Sequence, residues 1–394
     1  MTLPVSEDTG SLLEVYRPAG PVFVGGEGSR LIAEDGRRYL DFVSGIAVNA
    51  LGYGDPAFDD AVRAALDTGL VHTSNLYRTV PGTELAAWLT ERSFADRVFF
   101  CNSGAEANEG AFKFARRWSR ERSRDKVEIV AFRGSFHGRT FGALAATDRS
   151  AFQEPFQPLM PGVRFLSVGD VGELGRVVSG EQTAAVIIEP ILAEGGILPV
   201  PHEFLQSVRE ACDAAEALLI FDEVQVGLGR TGRLWAHDAS GIEPDIMTLA
   251  KPLAGGLPMG AVLLTDRVAS AIQPGDHATT FGGGPLVASA ALAVCRKIGE
   301  PGFLEAVRRK GEVVSEMLGA IALANEKVVA VRGTGLLWGI ELTVPAAEIV
   351  SAALDRQLLL VGAGPRVVRL VPPLTTTDED LIEGVKILEG VLQA

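Results

Sequence analysis

At 394 residues, with 47% hydrophobic and 22% charged side chains, the chain can bury a large core and is expected to build more than one domain. A formal net charge of −14 argues against nucleic acid and anionic membrane surfaces as partners. The three cysteines, Cys101, Cys212 and Cys295, are far apart and form no C-x-x-C pair. That spacing speaks against a disulfide framework or a zinc site and for a reducing cytoplasm, with no metal expected.

The first ten residues, MTLPVSEDTG, carry no basic n-region and no apolar h-region, so no secretory leader is expected. No later run reaches the length of a membrane span. Residues 20–45 read as short strands with turns (GGEGSR, AEDGRRYLDF). RVFFC at 97–101 reads as a strand, followed by a helix over 105–120. The charge cluster ARRWSRERSRDK at 115–126 is the solvated end of that helix; interleaved acids disfavour a nucleic-acid patch. Further strands are predicted at 127–132 and 184–190, then a helix over 203–216, then strands at 218–224, 245–250 and 260–266. Continuous Val/Ile/Leu runs separated by helices indicate a mostly parallel sheet covered on both faces. After Pro285 come a long helix (PLVASAALAVCRKIGE) and strands near 336–341, 358–361 and 367–370. A capping box of Thr376 with Glu379 is predicted to open the last helix. The two termini are expected to build a smaller α/β domain.

Candidate site residues cluster at the predicted strand ends. Lys251 is a lone cation at the end of an apolar run, and Asp222 ends another some thirty residues earlier. Such a pair is what a pyridoxal phosphate site needs: a lysine for the Schiff base and an aspartate for the pyridine nitrogen. A surface lysine and a strand-end aspartate are the plain alternatives. Sites in parallel sheets lie beyond the carboxyl ends of the strands, so Glu189 joins the other two in one crevice. In FFCNSGAEANE, Ser103 and Glu106 form an S-x-x-E capping box. A strand, a small-residue turn and a helix N-terminus make an anion site, or a routine helix cap. GLGRTG at 227–232 matches G-x-G-x-x-G, yet RLWAHDASG behind it does not read as a long helix, so it is taken as a loop. In FHGRT, Phe136 can lie over a flat ring and Arg139 can fork onto a carboxylate; a core aromatic and a surface arginine are the alternatives. Arg369 sits within an apolar strand and needs a partner or an anionic ligand; Glu194 is one candidate.

SGAEANE, SFHGRT, EPILAEGG, FDEVQVGLGRTG, LAKPLAGGLPMGA, TTFGGGP and RLVPPL, in this order and spacing, resemble the fold-type I, class III aminotransferases over nearly the whole chain. LDFVSGIAVNALGYG and VHTSNLYRT are most similar to the acetylornithine aminotransferase subfamily. The resemblance implies an α/β fold: a mostly parallel seven-stranded sheet in a large cofactor-binding domain, residues 57–283. Residues 1–56 and 284–394 would form the smaller domain. It implies pyridoxal phosphate as cofactor. Lys251 would carry it and shuttle the proton, and Asp222 would pair with the pyridine nitrogen. Gln225 would reach the phenolic oxygen, Val224 and Phe136 would sandwich the ring, Glu189 would stand beside it, and Ser103, Gly104 and Ala105 would hold the phosphate. Thr280 is similar to the residue that reaches the phosphate in the partner subunit, which implies a homodimer with shared sites.

For substrates, the resemblance gives Arg139 to the distal carboxylate and Arg369 to glutamate's α-carboxylate, with Glu194 neutralising Arg369 otherwise. The implied reaction is ping-pong exchange between N-acetylornithine and 2-oxoglutarate, giving N-acetylglutamate semialdehyde and glutamate, in arginine biosynthesis. Ornithine, succinylornithine, 4-aminobutyrate and lysine-pathway aminotransferases remain alternatives, as does a glutamate-semialdehyde-type aminomutase. Four positions depart from the subfamily pattern: Arg78 after Tyr77, Leu192, Pro252 and Gly284. Tyr77 and Arg78 are expected at the substrate entrance, where Arg78 is either a partner for an acidic acyl group or a solvated arginine.

Overall fold

Uninterrupted apolar strands need cover on both faces, and the middle of this chain supplies it. The computed structural model describes residues 13–16 and 20–394; the ten residues with which the chain opens lie outside them. Seven strands form one sheet, in the order Arg97–Cys101, Gly260–Leu264, Ile246–Leu249, Leu218–Asp222, Thr183–Ile188, Glu128–Phe132, Val163–Leu166. Only Gly260–Leu264 runs against the rest; it pairs antiparallel with both neighbours, while the other pairings are parallel. The mostly parallel seven-stranded sheet expected from the sequence is therefore present.

The period of two along each strand divides the core into layers. Ala185, Ile187 and Ile220 face the Gly104–Arg120 helix, packing on its Ala107, Ala111 and Phe112. Val186, Ile188, Leu219 and Phe221 point the other way, onto Phe204, Leu205 and Val208 of the His202–Ala214 helix. The sheet is thus gripped from both sides, and the carboxyl ends of its parallel strands share one rim.

The chain ends meet elsewhere. Phe23–Glu27, Arg30–Ala33 and Arg38–Asp41 form a sheet whose last member is the C-terminal strand Leu358–Leu359. Val328–Thr334, Leu337–Leu342, Val367–Leu370 and Val361–Gly362 form an antiparallel sheet. The single strand expected at 358–361 is therefore two short ones, each in its own sheet. The capping expectation at 376 also needs correction. The last helix, Asp378–Gln393, is capped by Thr377, whose side chain accepts from the Asp380 N–H. Thr376 is buried instead: its hydroxyl donates to the Pro373 carbonyl and accepts from Ser29. Thr377 wins because three acids follow it in the first turn, where the helix dipole favours negative charge. Among the described residues, no helix is long and apolar enough to cross a membrane, and no His/Cys/Asp/Glu group could hold a metal.

Candidate active site

Each wall of the site is the end of a secondary-structure element. Asp222 closes its strand, Glu189 follows Thr183–Ile188, and Lys251 opens a 3-10 turn, Lys251–Ala254, just beyond Ile246–Leu249. Those strands are parallel neighbours, so their ends open into one crevice. These three residues line a cavity of about 270 Å³ together with Gly104, Ala105, Phe136, Arg139, Glu194, Val224 and Gln225. Ser103 caps the helix beside that wall, and Arg369 stands directly behind Glu194 and Gln225. Three expected site residues lie apart. Tyr77 and Arg78 are exposed and outside the lining. Thr280 is exposed and lines a larger recess of about 760 Å³ with Asn75, Phe99, Phe100 and His277. That recess has no lysine, arginine or carboxylate in its lining, so the smaller cavity holds the convergent chemistry.

The floor is a fixed hydrogen-bond chain. Asp222 Oδ2 accepts from Asn108 Nδ2 at 2.8 Å and from His137 Nδ1 at 2.7 Å; Oδ1 accepts from the Val224 N–H at 3.0 Å. Thr248 Oγ1 donates to Asn108 Oδ1 at 2.8 Å, which turns the amide nitrogen toward Asp222. With a carboxylate as acceptor, Nδ1 of His137 carries the proton. Glu189 ties the wall to the floor: its two oxygens accept from the Phe136 and Ala193 N–H groups, at 2.9 and 3.0 Å. Burial pushes the Glu189 carboxyl up to about 7. Asn108, His137 and Thr248 have no role that the sequence alone assigns. His137 and Asn108 stand inside SFHGRT and SGAEANE, but only the fold shows that they converge on Asp222.

The capping at the start of the Gly104–Arg120 helix is close to expectation. Ser103 is extended and its hydroxyl accepts from the Glu106 N–H at 3.2 Å, capping a 17-residue helix. Glu106 reaches back to the Asn102 N–H at 2.7 Å, one residue before the cap. A Cβ on Gly104 would lie 2.6 Å from Val224 Cγ1, so only glycine lets the helix start approach that wall.

Lys251 is half-buried, because its side chain faces the cavity. Enclosure of the amine pulls its pKa down to about 8, with Arg369 adding to the shift. Pro252 costs the turn nothing, since proline lacks only an N–H that an opening turn leaves free. Arg369 Nη1 donates to Glu194 Oε1 at 2.5 Å and to Gln225 Oε1 at 2.8 Å. Burial raises the Glu194 carboxyl, but Arg369 and Lys251 outweigh it and hold it below its ordinary value. Arg139 has different support: its guanidinium lies 3.5 Å from the Phe152 ring centre and 5.7 Å from that of Phe136. Phe152 belongs to none of the motifs that mark the site in the sequence.

Two remaining motifs resolve as packing. Leu192 is buried in the core beneath the sheet with Phe132 and Val200 and does not face the cavity. GLGRTG is a run of turns, as expected, and its Arg230 is fully buried, donating to the Leu336 and Pro372 carbonyls.

The sequence profile of the family described as "Aminotransferase class-III" matches residues 17–392. The chain belongs to the class-III aminotransferases. It is 50% identical to the mitochondrial acetylornithine aminotransferase of Alnus glutinosa, over 97% of this chain and 88% of that protein. Its structure resembles the N-acetylornithine aminotransferase of Stenotrophomonas maltophilia K279a (TM-score 0.83, 38% identity, 95% and 96% covered). It also resembles the ornithine aminotransferase of Toxoplasma gondii (TM-score 0.92, 29% identity, 98% and 92% covered), reported with partial occupancy of PLP at its active site.

Proposed function

We propose that this enzyme moves the amino group of N-acetylornithine, or a closely related N-acylated ω-amino acid, to 2-oxoglutarate, with pyridoxal phosphate as cofactor and in arginine biosynthesis. One observation carries the reading: a lysine with a lowered pKa, an aspartate held by three hydrogen bonds and Arg139 line one cavity, with Arg369 directly behind its Glu194 and Gln225. The name shared by the Alnus and Stenotrophomonas relatives supplies the substrate.

The residues fit the cofactor. The capped helix start offers free N–H groups to a phosphate, and the bare Gly104 lets that start close against Val224 at the edge of the cavity where a flat ring would lie. Phe136 and Val224 both line that cavity, and Asp222 presents an oriented carboxylate at its floor. When bound, pyridoxal phosphate supplies an electron sink for carbanion chemistry. Asp222, held by Asn108, His137 and Val224, keeps its charge aimed at the pyridine nitrogen. Lys251 Nζ takes a proton from the substrate carbon and returns it; a pKa near 8 leaves part of the amine neutral at physiological pH. Arg139 binds the distal carboxylate of either donor. Arg369 takes glutamate's α-carboxylate, and Glu194 neutralises Arg369 when the substrate brings none. Glu189 fixes the backbone of Phe136.

We also infer a homodimer in the cytoplasm. Thr280 and its recess are exposed, as suits a residue serving the phosphate site of a partner subunit. Arg78, also exposed, belongs at the entrance and contacts the acyl group. Changing it to alanine should alter the ratio of kcat/KM for acetyl- and succinyl-ornithine; an unchanged ratio removes it from substrate recognition.

The deciding experiment follows the visible absorbance of the cofactor-loaded protein through addition of N-acetylornithine, then 2-oxoglutarate. Bleaching with the first and recovery with the second is expected. A band that ignores N-acetylornithine but responds to glutamate keeps the aminotransferase and changes the donor. Turnover without any added oxo acid would favour the aminomutase.

A further inference from the structure

We infer that Glu109 is a positioning residue that aims Arg139 at the substrate carboxylate. The inference rests on Arg139 binding that carboxylate, as proposed above. The second glutamate of SGAEANE plays no part in the phosphate-end cap, which uses Ser103 and Glu106. It sits on the same helix, five residues on from Gly104, and its side chain reaches the loop carrying Phe136 and Arg139.

A short helix, Phe141–Ala145, begins directly after Arg139 and Thr140. Thr140 stands in the N-cap position with extended backbone, but its side chain caps nothing. Its hydroxyl donates to Glu109 Oε1 at 2.6 Å. The same oxygen accepts from the Gly142 N–H at 2.8 Å and the Ala143 N–H at 3.1 Å. Those are the free N–H groups an N-cap would ordinarily satisfy, so Glu109 replaces the local cap with a carboxylate from another helix. Two glycines keep the approach close. A Cβ on Gly142 would collide with the Glu109 carboxylate, and one on Gly138 would lie 2.7 Å from Ala105 Cβ. On the loop's inner side, Thr147 Oγ1 accepts from the His137 N–H at 2.8 Å and the Gly138 N–H at 3.2 Å.

Arg139 therefore leaves a backbone clamped on both sides, by Thr147 at residues 137 and 138 and by Glu109 at residues 140, 142 and 143. The helix that presents Gly104 and Ala105 also sets where Arg139 stands. One rigid element then fixes the span between the phosphate end of the cavity and its carboxylate end. Removing Glu109 should free residues 139–143 without touching the cofactor end.

The probe is glutarate, an unreactive dicarboxylate, titrated into the cofactor-loaded enzyme by calorimetry. Glu109→Ala should raise its Kd about tenfold and raise the KM for 2-oxoglutarate in parallel. The visible cofactor band and kcat at saturation should stay near wild type. Glu109→Gln retains an acceptor oxygen and should lie within about threefold of wild type. In an Arg139→Ala background, Glu109→Ala should add nothing further. If Glu109→Ala proves insoluble, Gly142→Ala pushes the carboxylate aside on a helix that otherwise welcomes alanine, and should raise the glutarate Kd likewise. The proposal is overturned if Arg139→Ala weakens glutarate tenfold while Glu109→Ala and Gly142→Ala leave it unchanged. It is also overturned if Glu109→Ala abolishes the cofactor band, which would assign Glu109 to the phosphate end. An unchanged Kd in Arg139→Ala alone defeats the role of Arg139 itself, a result distinct from either.

Discussion

Arg139 lines the cavity and Arg369 stands behind its Glu194 and Gln225, and the two arginines have opposite kinds of support. Arg369 projects from a buried strand and is 1% exposed, with Glu194 and Gln225 already on its guanidinium. Arg139 is exposed on a loop, resting on the face of Phe152. A buried guanidinium must be neutralised whether or not substrate is present, because an isolated charge in the core costs several kcal/mol. An exposed one is solvated and can wait for its ligand. That contrast is why one arginine needs a switchable partner and the other needs only a fixed direction. In the proposed reading, a substrate would borrow Arg369 from the fold, whereas Arg139 would be a ligand-binding group that the fold merely aims.

Stability should separate the two arginines most sharply. Arg369→Ala should destabilise the enzyme by about 3 kcal/mol in urea denaturation, since it strips Glu194 of its partner and leaves a void. Arg139→Ala should change stability by less than about 0.5 kcal/mol and instead raise KM for 2-oxoglutarate by about 10- to 100-fold. Equal stability losses in both would mean that the distinction between them is false.

The next test uses pH. Glu194 is held below its ordinary value of 4.5, so its pairing contributes stability above that value. The contribution is lost as pH falls through the lowered native value. The stability gap between wild type and Glu194→Gln should therefore shrink in acid, while Arg139→Ala should follow wild type throughout. Lys251 responds to the same pair. Its amine is protonated below about 8 and neutral above, so uptake of pyridoxal phosphate by the cofactor-free protein should speed up as pH rises through about 8. Glu194 raises the Lys251 value and Arg369 lowers it. Glu194→Gln should therefore move the uptake profile to lower pH; a shift to higher pH would contradict the placement of these charges.

The two arginines also mark how far the sequence could be read. Strand ends at Asp222, Glu189 and Lys251 were legible because a strand buried on both faces must be apolar throughout, and parallel pairing then brings such ends together. The Arg369–Glu194 pair was legible for a similar reason: a charge inside an apolar strand demands an opposite one. What supports Arg139 was not. Glu109 lies thirty residues before it and Phe152 thirteen after, and neither has a spacing that points to a loop between them. The same holds for His137 and Asn108, which read as ordinary polar residues until the sheet brings Asp222 to them. At residue 376, the predicted cap failed because burial against Ser29 and the Pro373 carbonyl occupies the Thr376 hydroxyl, which leaves Thr377, in front of three acids, to cap the helix. Leu192 departs from the subfamily pattern at a position between two site glutamates. A strand-like turn places it in the core.

The mildest substitution tests the stacking under Arg139. At 3.5 Å from the ring centre, its guanidinium lies flush on Phe152, and the Phe136 ring is farther away. A cation–π contact at an exposed site contributes about 0.5–1 kcal/mol. Phe152→Leu keeps most of the apolar volume and removes the π face, so KM for 2-oxoglutarate should rise about two- to fivefold with kcat unchanged. Stability should barely move, since the residue is only partly buried. Two comparisons give this small number its meaning. Phe152→Tyr keeps the π face and should restore the wild-type KM. In Arg139→Lys, which loses the flat fork that stacks on the ring, Phe152→Leu should have less left to remove. If leucine instead lowers kcat and KM together, the ring has been straining the bound substrate and not steadying the arginine. Arg139 would then be aimed by its backbone alone.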